Sequence, residues 1–251
     1  MMMHADDVVT SLKLGAQIMQ ASVLTDAFVR DNLMGPNAVL MVEELCDGFL
    51  PTDTRHVCDL GCGSGLTSIW LAEHIRGSVC ACDLWNTAEA NQAQFDELGL
   101  GQRVHAVQAD ALALPFTSGT FDALVSVDSY NYFGRQSGVI DRVVACVQPG
   151  SPVLLAVPGL VRPLDDQMME VFGVSWTREQ MEYLWTANQW HDLLSQSAEV
   201  RIDHIGAMAC FEQAWADWLA CDNDYARGDC AAMRAGADSL MNLIAIRLTR
   251  K

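Results

Sequence analysis

Ten residues constrain this chain most: Val57-Cys58-Asp59-Leu60-Gly61-Cys62-Gly63-Ser64-Gly65-Leu66. A short apolar run meets three glycines at alternate positions, and an apolar-rich segment opens immediately after them. The pattern predicts a strand ending in a tight loop that starts a helix. Backbone can approach a ligand closely there, because glycine has no Cβ and accepts positive φ. From His56 onward, short apolar runs alternate with helical segments. Strands are expected at Val57–Leu60 and over residues 78–84, 104–109, 121–127 and 152–157. Helices are expected over 66–75, over 87–98 with Thr87 as N-cap, and near 139–147. Strands apolar on both faces that alternate with helices call for a mostly parallel sheet covered on both sides, an α/β doubly wound domain.

Around that core the texture differs. Residues 1–50 read as an N-terminal helical cap, with helical spacing over 8–19 and 39–45 and a break at Gly35-Pro36. Residues 51–158 form the alternating core. Residues 159–251 hold cap insertions and the final strands: a long connection over 159–188 rich in Met and Trp, a helix over 189–197, a strand over 200–205, helix over 211–235 and a last strand over 243–249. Trp176, Trp185, Trp190, Trp215 and Trp218 cluster in this part, as packing for the cap or as an aromatic wall for a cationic ligand. The whole reads as a single domain whose long connections cover the sheet edge where ligands bind.

Composition narrows the partners. Against 32 Asp+Glu stand 15 Lys+Arg, a formal charge of −17, which repels polyanions and anionic lipid surfaces and argues against nucleic acid and membrane as partners. The partner expected is small, neutral or cationic, or shielded from the global field. No stretch is long and apolar enough to span a bilayer, and Met1 to Asp7 does not resemble a signal peptide. The nine cysteines form no disulfide framework, so a reduced, cytoplasmic setting is expected. Cys58, Cys80 and Cys82 fall in apolar strand runs, where small thiols pack as hydrophobes, so no metal site is expected.

The glycine loop fits neither common nucleotide fingerprint. A dinucleotide loop would carry Gly or Ala at position 66, which is Leu66, and no Gly-Lys-Ser/Thr follows for a phosphate loop. Asp83 ends the second strand, where a carboxylate can accept from both hydroxyls of a ribose, with Leu84 and Trp85 flanking a base. Asp110, ending the third strand beside Ala111, can accept from an exocyclic amine. Asp59 either organises the glycine loop or touches the ligand, and Asp122 reads as a structural turn residue before the fourth strand. Three acids at successive strand tips suit a cationic nucleoside and repel a pyrophosphate.

Asp59-x-Gly61-x-Gly63-x-Gly65, then Asp83, then Ala109-Asp110-Ala111, with Phe121-Asp122 opening the fourth strand, resembles the class I S-adenosylmethionine (SAM)-dependent methyltransferases over about residues 30 to 160. The resemblance implies a seven-stranded Rossmann-like sheet with a reversed final strand. It places the methionine half of SAM against Gly61, Cys62, Gly63 and Gly65, and the ribose on Asp83. S-adenosylhomocysteine (SAH) would be the product. Asn32-Leu33-Met34-Gly35-Pro36-Asn37 and Val127-Asp128-Ser129-Tyr130-Asn131-Tyr132-Phe133-Gly134 are similar to a bacterial small-molecule, cyclopropane-synthase-like subgroup. That likeness adds Asn37 to the cofactor contacts. The subgroup commonly carries His where Asn131 stands, so no role resting on that imidazole transfers. The segment after the fourth strand lies beside the sulfur in this fold, which marks Asp128, Tyr130 and Tyr132 for the methyl and acceptor site. Asp128 would accept from the methionyl ammonium or from the substrate, and His191 is a candidate base. The implied activity is methyl transfer to N, O or S of a small molecule. A SAM-binding sensor or assembly protein is the alternative, and a lipid-modifying enzyme is disfavoured by the acidic surface. Whether the N-terminal helices cover their own chain or a partner's is open, so a homodimer stands beside a monomer.

Overall fold

The computed structural model describes residues 22–251, so the helix expected over residues 8–19 lies outside the described residues. Seven strands share one sheet: β1 (His56–Leu60), β2 (Ser78–Asp83), β3 (Val104–Gln108), β4 (Ala123–Val127), β5 (Pro152–Leu160), β6 (Val200–Ala207) and β7 (Met241–Arg250). Their order is β3-β2-β1-β4-β5-β7-β6. The first five run parallel, and β7 is antiparallel to both β5 and β6. Chain order reverses between β1 and β4. The loops leaving their C-terminal ends turn to opposite faces there, which opens a crevice above the strand tips.

Strand periodicity assigns the core. Val57, Val79, Val125 and Leu154 face one layer, where Met41, Leu45, Ile69, Leu71 and Phe95 pack from α2 (Ala38–Cys46), α3 (Leu66–His74) and α4 (Ala88–Glu97). Cys58, Leu124, Leu155 and Ile246 face the other. There they meet Ile140 and Val143 of α6 (Val139–Val144) and Trp190 and Leu194 of α9 (Ala187–Leu194). Leu71 and Leu155 are fully buried, each contributing about 1.5–3 kcal/mol by leaving water. The short helix α1 (Asp26–Asn32) is capped by Thr25 and packs beside α2.

Above the C-terminal edge sits a third cluster. Met168 and Phe172 of α7 (Asp166–Phe172), Met181 of α8 (Arg178–Glu182), Trp215 and Trp218 of α10 (Phe211–Leu219) and Ala226 and Ala232 of α11 (Asp224–Arg234) close around Leu33, Leu66, Leu160 and Met241. The stretch expected as a connection over 159–188 thus holds two complete helices and the start of α9. Each has its own N-terminal signal: Asp165 accepts from Met168, while Thr177/Gln180 and Thr186/Gln189 form capping boxes. The helix expected across 211–235 is two helices, because Asn223 adopts an extended backbone and caps α11. Asp229 binds the cap together by accepting from the indole N–H of both Trp176, at 2.6 Å, and Trp218, at 2.8 Å. Asp122 accepts from the backbone of Arg55 and His56, the structural role its position predicted.

Candidate active site

A cavity of about 610 Å³ opens over the C-terminal ends of β1, β2, β3 and β4, within the usual size range for small-molecule sites. Its floor is the glycine loop. Gly61 and Cys62 donate their backbone N–H groups to the Cys82 carbonyl, at 2.7 and 3.1 Å, which folds the loop back over β2. Gly61 sits at φ +76°, and a Cβ there would lie 1.9 Å from Ser129 Oγ. Gly65, at φ +86°, starts α3 where a Cβ would lie 2.6 Å from the Phe95 ring. Gly61, Cys62 and Gly63 line the cavity, whereas Gly65 lies behind it.

Asp83 is buried at the rim of that floor. Its Oδ2 accepts from Gly63 N–H at 2.9 Å, and its Oδ1 accepts from Trp85 N–H at 2.8 Å and Asn86 N–H at 2.9 Å. A carboxylate offers about four acceptor positions, so roughly one is left for a ligand hydroxyl. The same side chain ties the glycine loop to the turn that carries Leu84 and Trp85. Those two are exposed at 51% and 73%, and they line the cavity with Asp110, Ala111 and Leu112. Asp110 is exposed; its Oδ1 accepts from Leu112 N–H at 2.8 Å.

Asp59 is fully buried and does not line the cavity. Its Oδ2 accepts from Thr67 and Ser68 hydroxyls, both at 2.6 Å, which pins the first turn of α3 under the loop. Burial pushes its carboxyl up to about 6, against the lowering effect of those hydroxyls. Of its two sequence readings, organising the loop is the one its contacts express.

The fourth wall follows β4. Asp128 has φ +51°, the one non-glycine residue with positive φ among the described residues, and its carboxylate packs against Gly35, where a Cβ would lie 2.5 Å from Oδ2. Loss of hydration and the nearby Asp229 push its carboxyl up to about 7. Asp128, Ser129, Tyr132 and Phe133 all line the cavity. Tyr132 stacks edge-on with Tyr183 at 5.2 Å between centroids and with Trp85 at 6.0 Å, and its hydroxyl is pushed up first by the Asp128 charge. Arg135 lies 4.6 Å over the Tyr183 ring and donates to the Asn131 and Glu182 carbonyls, which fixes α8 against α5 (Tyr130–Phe133).

Besides Asp59 and Gly65, three more expected site residues lie outside the lining. Tyr130 is fully buried beneath the wall, its ring 5.6 Å from that of Trp190, because residues two apart on a helix face different ways. His191 is exposed on α9, against the far face of the sheet, and its nearest partner is Asp192 at 3.8 Å. Asn37 caps α2, accepting from Val39 and Leu40 N–H and donating to Asp217 at 2.7 Å; its neighbours Met34, Gly35 and Pro36 line the cavity instead. None of the five cap tryptophans reaches the cavity. From residue 159 onward, Tyr183 alone among the described residues lines it. In sequence Tyr183 stands among the cap tryptophans, which read as cap packing or as an aromatic wall, and of that group it alone lines the cavity, beside Tyr132.

The donor set fits a nucleoside sulfonium. Asp83 has an acceptor position that could take a hydroxyl, Leu84, Trp85 and Leu112 form an apolar slot that could hold a flat ring, and Asp128 presents a carboxylate that could meet a cation. Among the described residues the lining holds Asp83, Asp110 and Asp128 and no Lys, Arg or His. Three carboxylates unbalanced by a base would repel a pyrophosphate.

A family model described as a methyltransferase domain matches residues 57–150. (+)-O-methylkolavelool synthase of Herpetosiphon aurantiacus is 27% identical over 166 residues, which cover 64% of this chain and 56% of that protein. The chain thus spans about half the length of the curated relatives it matches. A solved geranyl diphosphate methyltransferase in complex with SAM shares the fold at TM-score 0.66 and 14% identity, covering 86% of each chain. The [4+2]-cyclase SpnF does so at TM-score 0.65 and 15% identity, covering 86% of this chain and 81% of its own.

Proposed function

Because the chain belongs to the class I SAM-dependent methyltransferases, we propose that it moves a methyl group from SAM to a nitrogen, oxygen or sulfur atom of a small molecule. The observation that carries this reading is Asp83, buried at the tip of β2, bonded to the glycine loop and still holding an acceptor position toward the cavity. Gly61, Cys62 and Gly63 would bear the methionine half, Asp83 a ribose hydroxyl, and Leu84, Trp85, Asp110 and Ala111 the base. SAM supplies an electrophilic methyl carbon: the acceptor's lone pair forms the new bond while the carbon–sulfur pair leaves with sulfur, giving SAH. The protein's share of that displacement is to orient the acceptor in line and keep water out. Phe133, Tyr132 and Tyr183 supply the apolar wall for that purpose, and Asp128 the polar group facing the acceptor. No helix among the described residues is long and apolar enough to cross a membrane, and a cytoplasmic enzyme is part of the same proposal.

Titration with SAH tests the reading. Wild-type protein binds SAH in the micromolar range, and Asp83→Ala weakens binding at least ten-fold, about 1.4 kcal/mol. Unchanged affinity in that variant would remove the assignment. A second reading, a SAM-binding protein that does not methylate, draws on the fold shared with a [4+2]-cyclase. Label from methyl-labelled SAM appearing in a metabolite extract would decide against it.

A further inference from the structure

We propose that the site takes acceptors bearing a positively charged nitrogen on a flat, apolar body, held between the Asp128 carboxylate and the ring of Tyr132. The proposal rests on the methyltransferase reading and names its substrate class. Charge is the first argument. The cavity is lined by three carboxylates and, among the described residues, by no basic side chain, so a phosphate or carboxylate acceptor would find no counter-charge. Asp128 is the one of the three whose carboxylate has no hydrogen-bond donor among the described residues. The groups that face it are Asp229 and Tyr132. A desolvated carboxylate with no partner is costly, and a bound cation removes the cost.

The ring geometry is the second argument. Tyr132 is 46% exposed and lines the cavity beside Asp128, with Tyr183 and Trp85 packed edge-on against it. An aromatic face next to an unpaired carboxylate attracts an organic cation by both its charge and its flat surface. Arg135, whose guanidinium lies over Tyr183, is engaged by two carbonyls and that ring, and it does not line the cavity. Before methylation an ammonium must lose a proton. Its N–H bond breaks, the proton passes to a carboxylate oxygen of Asp128, and the electron pair stays on nitrogen as the lone pair. A carboxyl pushed up to about 7 exchanges such a proton near neutral pH.

Three ligands of one shape and different charge test this on the full chain saturated with SAH: N-methylquinolinium, quinoline and 1-naphthoate, measured by calorimetry at pH 8. The cation is expected to bind at least about ten-fold more tightly than quinoline, with naphthoate undetectable. Asp128→Asn should bring the cation-to-neutral ratio close to one, and Tyr132→Ala should weaken cation binding, each variant being measured at a SAH concentration that saturates it. Equal affinities, preference for the anion, binding of none of the three, or an unchanged ratio in Asp128→Asn overturns the proposal. If SAH fails to bind wild-type protein, the methyltransferase reading falls instead. If SAH binds while the charge series is flat, only the acceptor class falls.

Discussion

Alanine at the floor glycines should separate geometry from mere small size. At Gly61, φ +76° costs an L-residue about 1–2 kcal/mol. The new methyl would also lie 2.4 Å from Ser129 Cβ, an atom that no rotamer change can move, so the loops after β1 and β4 must part. Overpacking of that kind costs about 1–3 kcal/mol. Together these give about 2–5 kcal/mol, or roughly 5–15 °C in Tm for a chain of this length. At Gly63, φ +53° carries the same backbone cost, but the methyl would meet the Met34 sulfur at 3.1 Å, the end of a flexible side chain that is 64% exposed. That side chain can swing aside, leaving about 1–2 kcal/mol of loss. Thermal unfolding of Gly61→Ala and Gly63→Ala followed by circular dichroism reads the difference directly. SAH titration should show the larger loss of affinity in Gly61→Ala, whose floor shifts. If Gly61→Ala melts within about 2 °C of Gly63→Ala, the close approach of the two loops is not what the glycine serves.

Asp128→Asn should change the pH profile of stability. The folded carboxyl is pushed up to about 7 from an ordinary 3.8, so its protonation stabilises the fold below pH 4 and that stability is lost as pH rises through 7. Asn tolerates the same positive φ and cannot ionise, so the variant should melt above wild type at pH 8 and gain nothing by this route at pH 4. Asp229→Ala orphans the indole donors of Trp176 and Trp218. Urea unfolding should show a loss of about 1–3 kcal/mol per buried donor, with SAH affinity unchanged. Trp85→Ala removes a side chain 73% exposed in the free protein, so stability should hold within about 0.5 kcal/mol. Its SAH affinity should fall by about two- to ten-fold as a stacking surface for the base is lost.

The sheet was legible because its signals are local. Apolar runs of five or six residues, Thr87 at a helix start and three glycines between a strand and a helix each act within a few residues. The site residues set by those strand tips, Asp83 and Asp110 above all, line the cavity for the same reason. The cap was harder to read. α7 and α8 are seven and five residues long, too short for a helical period to emerge, and their capping residues alone announce them. Tyr130 and Tyr132 looked equivalent as letters, yet a single helical turn sends one inward and the other to the cavity. Tyr183 comes to the site through packing across the fold, which no spacing encodes.

The three bonds that Asp83 accepts bear on how such a chain can diverge. Its carboxylate fastens both loops of the cofactor half while facing the ligand, so a substitution cannot alter affinity without also loosening the floor. Under the proposed function, the demands of binding and of folding fall on one side chain. The far side of the cavity is under no such double constraint. From residue 159 onward the described chain lends it Tyr183 alone, so the choice of acceptor can change through a handful of rim side chains while the rest of the cap keeps its packing.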